Sequence, residues 1–339
     1  MIRRLFHAWE HQLAAVDTNR VVRPFEWGLD WLGAAGASDD PKAVALAYAR
    51  EAMRDSDAFF HTDPLEAGDA SFDGFTLRFP SALSTPFEAN NTVVARVFPA
   101  QLRGGDRRKR AVVVLPQWNA DAQGHVGLCQ LFARFGVTAV RLSLPYHDER
   151  RPAELQRAEY IVSANVGRTL HANRQAVLDA RRTIDWLERE GYDRIGIMGT
   201  SLGSCLAMLT MAHDRRISTG AFNHVSPYFA DVVWRGLSTR HVRAGLEGSI
   251  GLDDLRECWM PISPWPFIDR VRDRAIRLIY ARYDLSFPVD LSRQFVAEFR
   301  RRDVPHTTTV LPCGHYTTGK APFKYLDGYT LTKFLVTRL

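Results

Sequence analysis

"RIGIMGTSLGS", residues 194–204, sets a lone serine between two glycines at the point where an apolar run breaks off. Ile195, Ile197 and Met198 read as the end of a buried strand, and Leu202, Cys205, Leu206 and Leu209 follow with the spacing of one apolar helix face. Ser201 therefore sits at a strand-to-helix corner. Gly199 and Gly203 lack the Cβ atoms that would keep strand and helix apart around a residue in a strained backbone conformation. The pattern is Gly-x-Ser-x-Gly. It lifts the serine oxygen clear of the sheet, beside a helix amino end whose free N–H groups favour developing negative charge. The plain alternative is that Ser201 only caps the helix, a place serine favours anyway.

Outward from this corner the chain keeps a strand–helix rhythm. GFTLRFPSAL (Gly74 to Leu83) and NNTVVARVFP (Asn90 to Pro99) read as a strand pair, and AVVVLP (Ala111 to Pro116) as a continuous apolar strand. Leu128, Leu131, Phe132 and Phe135 then mark a helix that stops at Gly136, where a left-handed cap belongs. VTAVRLSLP (Val137 to Pro145), STGAFNHVS (Ser218 to Ser226), AIRLIYARYD (Ala275 to Asp284) and HTTTVLPCG (His306 to Gly314) are further strands, with helical segments between them and after the last. Strands alternating with helices predict an α/β fold: a mostly parallel sheet of roughly eight strands, covered by helices on both faces.

Two segments fall outside the rhythm. Residues 1–71 read as a helical amino-terminal extension, with Leu5, Trp9 and Leu13 on one face of a first helix and AVALAYAREAM (Ala43 to Met53) as a second. That stripe is expected to pack on the main body rather than on a membrane or a second subunit. Residues 227–273 interrupt the sheet of the main domain, 72–339, and are rich in Trp, Tyr and Phe. They read as a cap over the strand ends.

Composition narrows the function classes. A chain of 339 residues, 46% hydrophobic and 24% charged, is long enough for one large core and has the make-up of a soluble globular protein. MIRRLFHAWEHQL is interrupted by His7, Glu10, His11 and Gln12, so it does not read as a signal peptide, and no run is apolar enough to span a bilayer. Cys129, Cys205, Cys258 and Cys313 are scattered without C-x-x-C spacing, as expected of free thiols in a reducing, cytoplasmic setting. The net charge of +6 suggests nucleic acid, and its densest run is RGGDRRKR, Arg103 to Arg110. That run lacks aromatic residues for base stacking and reads as a solvated hairpin loop between two strands.

In a parallel sheet, ligands meet the carboxyl ends of the strands. Three chemically useful side chains arrive there: Ser201, Asp284 at the end of YARYD, and His315 in PCGH. With GTSLG, the carboxylate after ARY and GH after the last strand, the region from Gly74 to Leu335 resembles the α/β-hydrolase fold. The resemblance implies a Ser-His-acid triad and acyl transfer through a covalent serine ester. Ser201 would be the nucleophile, His315 the base that takes and returns its proton, and Asp284 the acid that orients the imidazole. Asp290 is the rival acid, although it stands where it could cap a helix. His125, His147, His224 and His241 do not follow the last strand and are weaker candidates for the base.

An oxyanion needs two N–H donors. One is expected from Leu202 and the other from PQWNADAQGH, at Trp118 or, alternatively, Gln117, where the chain departs from the family's His-Gly pattern. Phe229, Trp234 and His241 are the cap residues expected to contact substrate, giving a mostly apolar pocket, while Arg240 and Arg243 read as solvated. No metal or cofactor is expected, since neither HExxH nor Gly-x-Gly-x-x-Gly is present and His147, Asp148 and Glu149 read as a solvated loop. These readings point to a serine esterase acting on a small-molecule carboxylic ester, with no nucleic acid partner and an unassigned oligomeric state. An acyltransferase, a peptidase or a non-catalytic binding protein on the same fold stand beside it.

Overall fold

The computed structural model describes residues 1–34, 36, 39–66, 68–101 and 109–339. Nine strands form one sheet: β1 (Ser71–Phe72), β2 (Thr76–Pro80), β3 (Thr92–Phe98), β4 (Arg110–Leu115), β5 (Thr138–Leu142), β6 (Arg194–Thr200), β7 (Ile217–Asn223), β8 (Ala275–Ala281) and β9 (Thr307–Leu311). Their order is β1-β2-β3-β5-β4-β6-β7-β8-β9. β1, β2 and β3 run antiparallel up to the β3–β5 pair, and every pair from β5 to β9 is parallel. The strand beyond the expected eight is the two-residue β1.

β3 borders β2 and β5, not β4. The chain between β3 and β4 is therefore a crossover connection rather than the hairpin expected from RGGDRRKR. Arg103 to Arg108 of that run lie outside the described residues. Lys109 and Arg110 are described, and Arg110 begins β4.

The helices are α1 (Ile2–Ala14), α2 (Pro41–Arg54), α3 (Ser56–Phe59), α4 (Val126–Arg134), α5 (Val166–Arg189), α6 (Leu202–His213), α7 (Phe229–Arg235), α8 (Arg240–Leu246), α9 (Leu252–Cys258), α10 (Val289–Arg301) and α11 (Phe323–Arg338). Alternate residues of one strand feed opposite faces, as the period of two requires. Val112 and Val114 of β4 pack in a cluster with Phe132 of α4 and Leu331 and Leu335 of α11. Val113 and Leu115 join the larger cluster with Val177 of α5, Leu206 of α6 and Phe299 of α10. Both faces are covered, which is why β4 and β5 are buried at every position. Gly136 closes α4 at φ +76°, the left-handed residue its sequence position predicts.

The extension and the cap share the larger cluster. Ala45 and Ala52 of α2, together with Phe229, Trp259 and Phe267 of the 227–273 segment, belong to it. α2 starts where Asp40 accepts the Ala43 N–H at 3.0 Å, ahead of Pro41. α1 docks differently from expectation. Leu5 is 65% exposed, while Phe6 stacks on Tyr283 at 4.6 Å and Glu10 is completely buried. The helix is turned so that Glu10 and Ala14 face inward and Leu5 outward, with Trp9 and Leu13 half-buried between them.

Candidate active site

β6 ends at Thr200, and Ser201 follows at φ +57° and ψ −120°, a conformation that an L-residue holds only under tertiary constraint. Two glycines make it possible. A Cβ on Gly199 would collide with the carbonyl oxygen of Gly203, and one on Gly203 with the carbonyl oxygen of Leu115. Ser201 N–H donates to Asn223 O at 2.8 Å, and the Ser204 hydroxyl donates to Ser201 O at 2.7 Å. Every residue of α6 is buried, so the helix that carries this corner has no freedom to shift.

Ser201 Oγ lies 3.1 Å from His315 Nε2, and His315 Nδ1 lies 2.9 Å from Asp284 Oδ2. A carboxylate only accepts, so Nδ1 carries the proton and Nε2 turns a lone pair toward the serine. Asp284 Oδ1 accepts the N–H groups of Ser286 (2.8 Å) and Phe287 (2.7 Å). Phe287 stacks on the His315 ring at 5.3 Å. Thus the three side chains that the strand-end rule selected are brought together, each from a different strand.

A fourth group joins them. His224 Nδ1 donates to the same Asp284 Oδ2 at 2.8 Å, its ring 4.3 Å from that of His315. The sequence reading kept His224 only as a weaker candidate for the base. Its position right after Asn223, the last residue of β7, was the available signal, because that strand end lies between those of β6 and β8.

Charge follows from this packing. Burial opposes ionisation of Asp284, but the two histidines overcome it and hold the carboxyl well below the usual range. Burial alone would lower His315, and the Asp284 carboxylate more than reverses this, so its pKa stands above the ordinary imidazole value. Burial and the neighbouring His315 push His224 the other way. It stays neutral. His224, Asp284 and His315 also place nitrogen and oxygen ligand atoms within 4.8 Å of one another. Both Nδ1 atoms are already spent on one oxygen, an arrangement suited to handling a proton rather than to enclosing a cation.

The backbone N–H groups of Leu202, Gln117 and Trp118 have no acceptor among the described residues. The next amide, Asn119, is occupied by His147 Nε2 at 2.9 Å. His147 Nδ1 donates to Pro145 O at 2.9 Å, and burial pushes its pKa down to about 4, so the neutral ring is an acceptor that pins this loop. The expectation of a solvated His147–Glu149 loop is corrected accordingly. His147 is buried and Asp148 is paired with Arg141 at 2.9 Å, because the loop folds under β5; only Glu149 faces solvent.

Ser201 opens into two cavities. A cleft of about 1050 Å³ runs past Gln117, Trp118, His224, His315 and Tyr316, and its further walls include Arg20, Arg141, Asp148 and Arg157. A second pocket of about 40 Å³ is bounded by Leu202, Cys205, Phe229, Val232 and Phe287. Of the three cap residues expected at the substrate, Phe229 lines this pocket. Trp234 lies under the Arg243 guanidinium at 5.4 Å and lines neither cavity, because its face of α7 turns toward α8. His241 lines neither and stacks on Trp118 at 5.7 Å; burial, then Arg20 and Arg157, push its pKa down to about 4. Arg240 is exposed, and Arg243 binds Glu247 at 2.6 Å. Asp290, the rival acid, is exposed and paired with Arg235 at 2.8 Å, away from His315.

Residues 50–233, more than half of the chain, match the family described as alpha/beta hydrolase domain containing 18. The match includes Ser201 and His224 and stops before Asp284 and His315. No curated protein sequence matches the chain. Among solved structures it is similar to an acylaminoacyl peptidase from Pyrococcus horikoshii, with 14% identity and a TM-score of 0.62 over 84% of this chain and 43% of that one. The chain thus spans less than half the length of that peptidase. It is also similar to an esterase from Pyrococcus furiosus (15% identity, TM-score 0.54, 82% of this chain and 99% of that one). A cold-adapted esterase from an Arctic intertidal metagenomic library is 13% identical, with a TM-score of 0.51 over 82% of this chain and 100% of that one. These similarities establish the α/β-hydrolase fold.

Proposed function

Since the chain belongs to the alpha/beta hydrolase domain containing 18 family, we propose that it is a serine hydrolase that cleaves a carboxylic ester through an acyl-serine intermediate. One observation carries this reading: the unbroken line Ser201 Oγ to His315 Nε2 to Asp284 Oδ2, with steps of 3.1 and 2.9 Å. In the first half-reaction His315 Nε2 takes the Ser201 proton as Oγ bonds to the ester carbonyl carbon. Negative charge moves to the carbonyl oxygen, where the N–H groups of Leu202 and of Gln117 or Trp118 receive it. The C–O bond to the alcohol then breaks, and His315 returns the proton to the departing oxygen. In the second half-reaction water gives a proton to His315 as its oxygen bonds to the acyl carbon, the bond from that carbon to Ser201 Oγ then breaks, His315 returns the proton to Oγ, and the carboxylic acid leaves. Asp284 holds the ring and stabilises the imidazolium in both.

The two cavities divide the substrate. The acyl group enters the small apolar pocket beside Phe229 and Val232, while the alcohol portion occupies the wider cleft, whose apolar surface is interrupted by charged side chains. Residues 1–71 and 227–273 serve as extension and cap on a hydrolase body of residues 72–339. Four unpaired, buried cysteines support a cytoplasmic setting. No helix of the described residues is long and apolar enough to cross a membrane.

The test is covalent labelling by a fluorophosphonate together with hydrolysis of an ester panel graded by acyl length. Ser201→Ala is expected to abolish labelling and nearly all hydrolysis, and the wild type to favour short acyl groups. Undiminished labelling of the variant would rule Ser201 out. Transfer to an added alcohol or amine in preference to water would make the protein an acyltransferase with the same residues.

A further inference from the structure

The segment carrying His315 is gripped from the far end of the chain. Glu10 on α1 has no exposed surface. Its Oε2 accepts the Tyr316 N–H at 2.9 Å, and its Oε1 accepts the Thr317 N–H at 2.8 Å and the Thr317 hydroxyl at 2.9 Å. The same Thr317 oxygen accepts the Gly314 N–H at 2.7 Å. Glu10 therefore fixes the backbone on both sides of His315, directly at 316 and 317 and through Thr317 at 314. The fit is tight, because a Cβ on Gly314 would run into the Glu10 carboxylate.

α1 also reaches the turn that carries the acid. Phe6, one helical turn before Glu10, stacks on Tyr283 at 4.6 Å, and the Tyr283 N–H donates to Cys313 O at 2.9 Å. Further along the extension, Arg20 donates to the Tyr316 hydroxyl at 2.9 Å. A fully buried carboxylate with three donors needs a reason to sit on an otherwise amphipathic surface helix, since leaving it there without those donors is costly.

We propose that Glu10 is a positioning residue for the catalytic histidine, so that the amino-terminal extension is a working part of the active site rather than a decoration of the fold. This rests on the reading of His315 as the base. Glu10 touches neither substrate nor reacting atoms. It sets the placement of Nε2 relative to Ser201 Oγ, and it adds a negative charge in the same sense as Asp284. Displacing a catalytic group by a fraction of its hydrogen-bond length is felt in turnover more than in substrate binding.

The experiment compares the full-length wild type with Glu10→Ala and the isosteric Glu10→Gln. It measures kcat, KM, the rate of fluorophosphonate labelling of Ser201, and the thermal transition. Glu10→Gln keeps one acceptor oxygen but sets an amide donor against a backbone N–H. The expected result is a fall in kcat and labelling rate of ~100-fold for Glu10→Ala and ~10-fold for Glu10→Gln, with KM changed less than about two-fold. If either variant is folded at 25 °C, with a cooperative thermal transition above that temperature, and keeps wild-type kcat and labelling rate, Glu10 only anchors a helix and the proposal fails. A rise in KM at constant kcat overturns it as well. Should Glu10→Ala not fold, the Glu10→Gln values decide. A wild type that fails to label removes the catalytic reading itself, and the positioning role with it, whereas labelled wild type with unaffected variants removes only the role of Glu10.

Discussion

At the elbow, the contacts that fix Ser201 come from β4, β6, α6 and the neighbouring end of β7. The Gly199 and Gly203 backbone surfaces touch, and Ser204 bridges Ser201 O and His224 O at 2.7 and 3.0 Å. The histidine loop, residues 314–317, has a local turn in which Gly314 N–H donates to the Thr317 hydroxyl at 2.7 Å, and it takes its remaining support from far away in the chain. Its side chain is held by Asp284, 31 residues away in sequence, and its backbone by Glu10, 306 and 307 residues from the groups it binds. The proposed nucleophile thus depends on glycines set within five residues and packed against β4 and the end of β7, whereas the proposed base depends in addition on carboxylates from distant segments.

The strongest way to break this comparison is at the carboxylate. Asp284 Oδ2 accepts from two histidines and Oδ1 from two backbone amides, so an amide placed there must set its NH₂ against donors on one side. Asp284→Asn is expected to lower kcat by ~10⁴-fold while Ser201 keeps its place. Steady-state kinetics check the loss, and a variant with near-normal kcat would place the acid elsewhere. The corresponding lesion at the elbow acts on shape. Gly203→Ala drives a methyl group into the Leu115 and Pro116 carbonyls, which lead to the oxyanion loop. The expected cost is about 3 kcal/mol or more of stability, read from a denaturant midpoint, together with lost activity.

Acid separates the two regions by sign. Nε2 of His315 must be unprotonated to accept the serine proton, and its pKa is raised, so kcat/KM is expected to fall as pH drops through a value above the ordinary ~6.5. On the elbow side, burial pushes His125, whose Nε2 lies 3.0 Å from Thr200 Oγ1, down to about 4, and His147 likewise. These rings bind fewer protons folded than unfolded between pH ~6.5 and 4. Their contribution to stability is therefore whole above the unfolded value and is lost as pH falls toward the folded one. A pH–rate profile and melting temperatures at pH 7.5, 6 and 5 check both: activity is expected to decline first and stability afterwards. An unfolding transition that leads the loss of activity would contradict the order.

The smallest effect sharpens the choice of acid. Asp290 is exposed and pairs with Arg235 at 2.8 Å, a surface bridge of ~0–1 kcal/mol. Asp290→Asn is expected to leave kcat within about two-fold of the wild type. A large loss there would contradict the assignment of Asp284.

How much of this was legible in the sequence differs between the same two regions. Gly199, Ser201 and Gly203 announce their conformation because a positive φ and touching backbones demand particular residue types at fixed offsets. Gly136 does so for the end of α4 by the same rule. Asp284 could be chosen over Asp290 because one ends a strand and the other begins a helix. Glu10 gave no such sign. In α1 it looks like any polar residue on a surface helix, and of the expected stripe Trp9 and Leu13 are half-buried while Leu5 is exposed. His224 shared the strand-end position of the other candidates, but what it hydrogen-bonds depends on how close β7 lies to β8. Trp234 was misplaced for a related reason: it packs against Arg243, while the charged part of the cleft wall, Arg20, Arg141 and Arg157, comes from separate parts of the chain.

By itself the sequence determined the strand–helix alternation, the buried parallel sheet, the serine corner and the order in which Ser201, Asp284 and His315 reach one edge of that sheet. Each of these follows from periodicity or from steric rules acting over a few residues. Only the tertiary structure decided that β5 inserts between β3 and β4, that Asp284 serves two histidines, that a carboxylate from the first helix holds the backbone around His315, and that a wide cleft meets a small apolar pocket at Ser201. Those outcomes depend on which surfaces meet when both faces of the sheet are covered. Close approach between distant segments turns ordinary polar residues into fixed hydrogen-bond partners, and no local pattern carries that information.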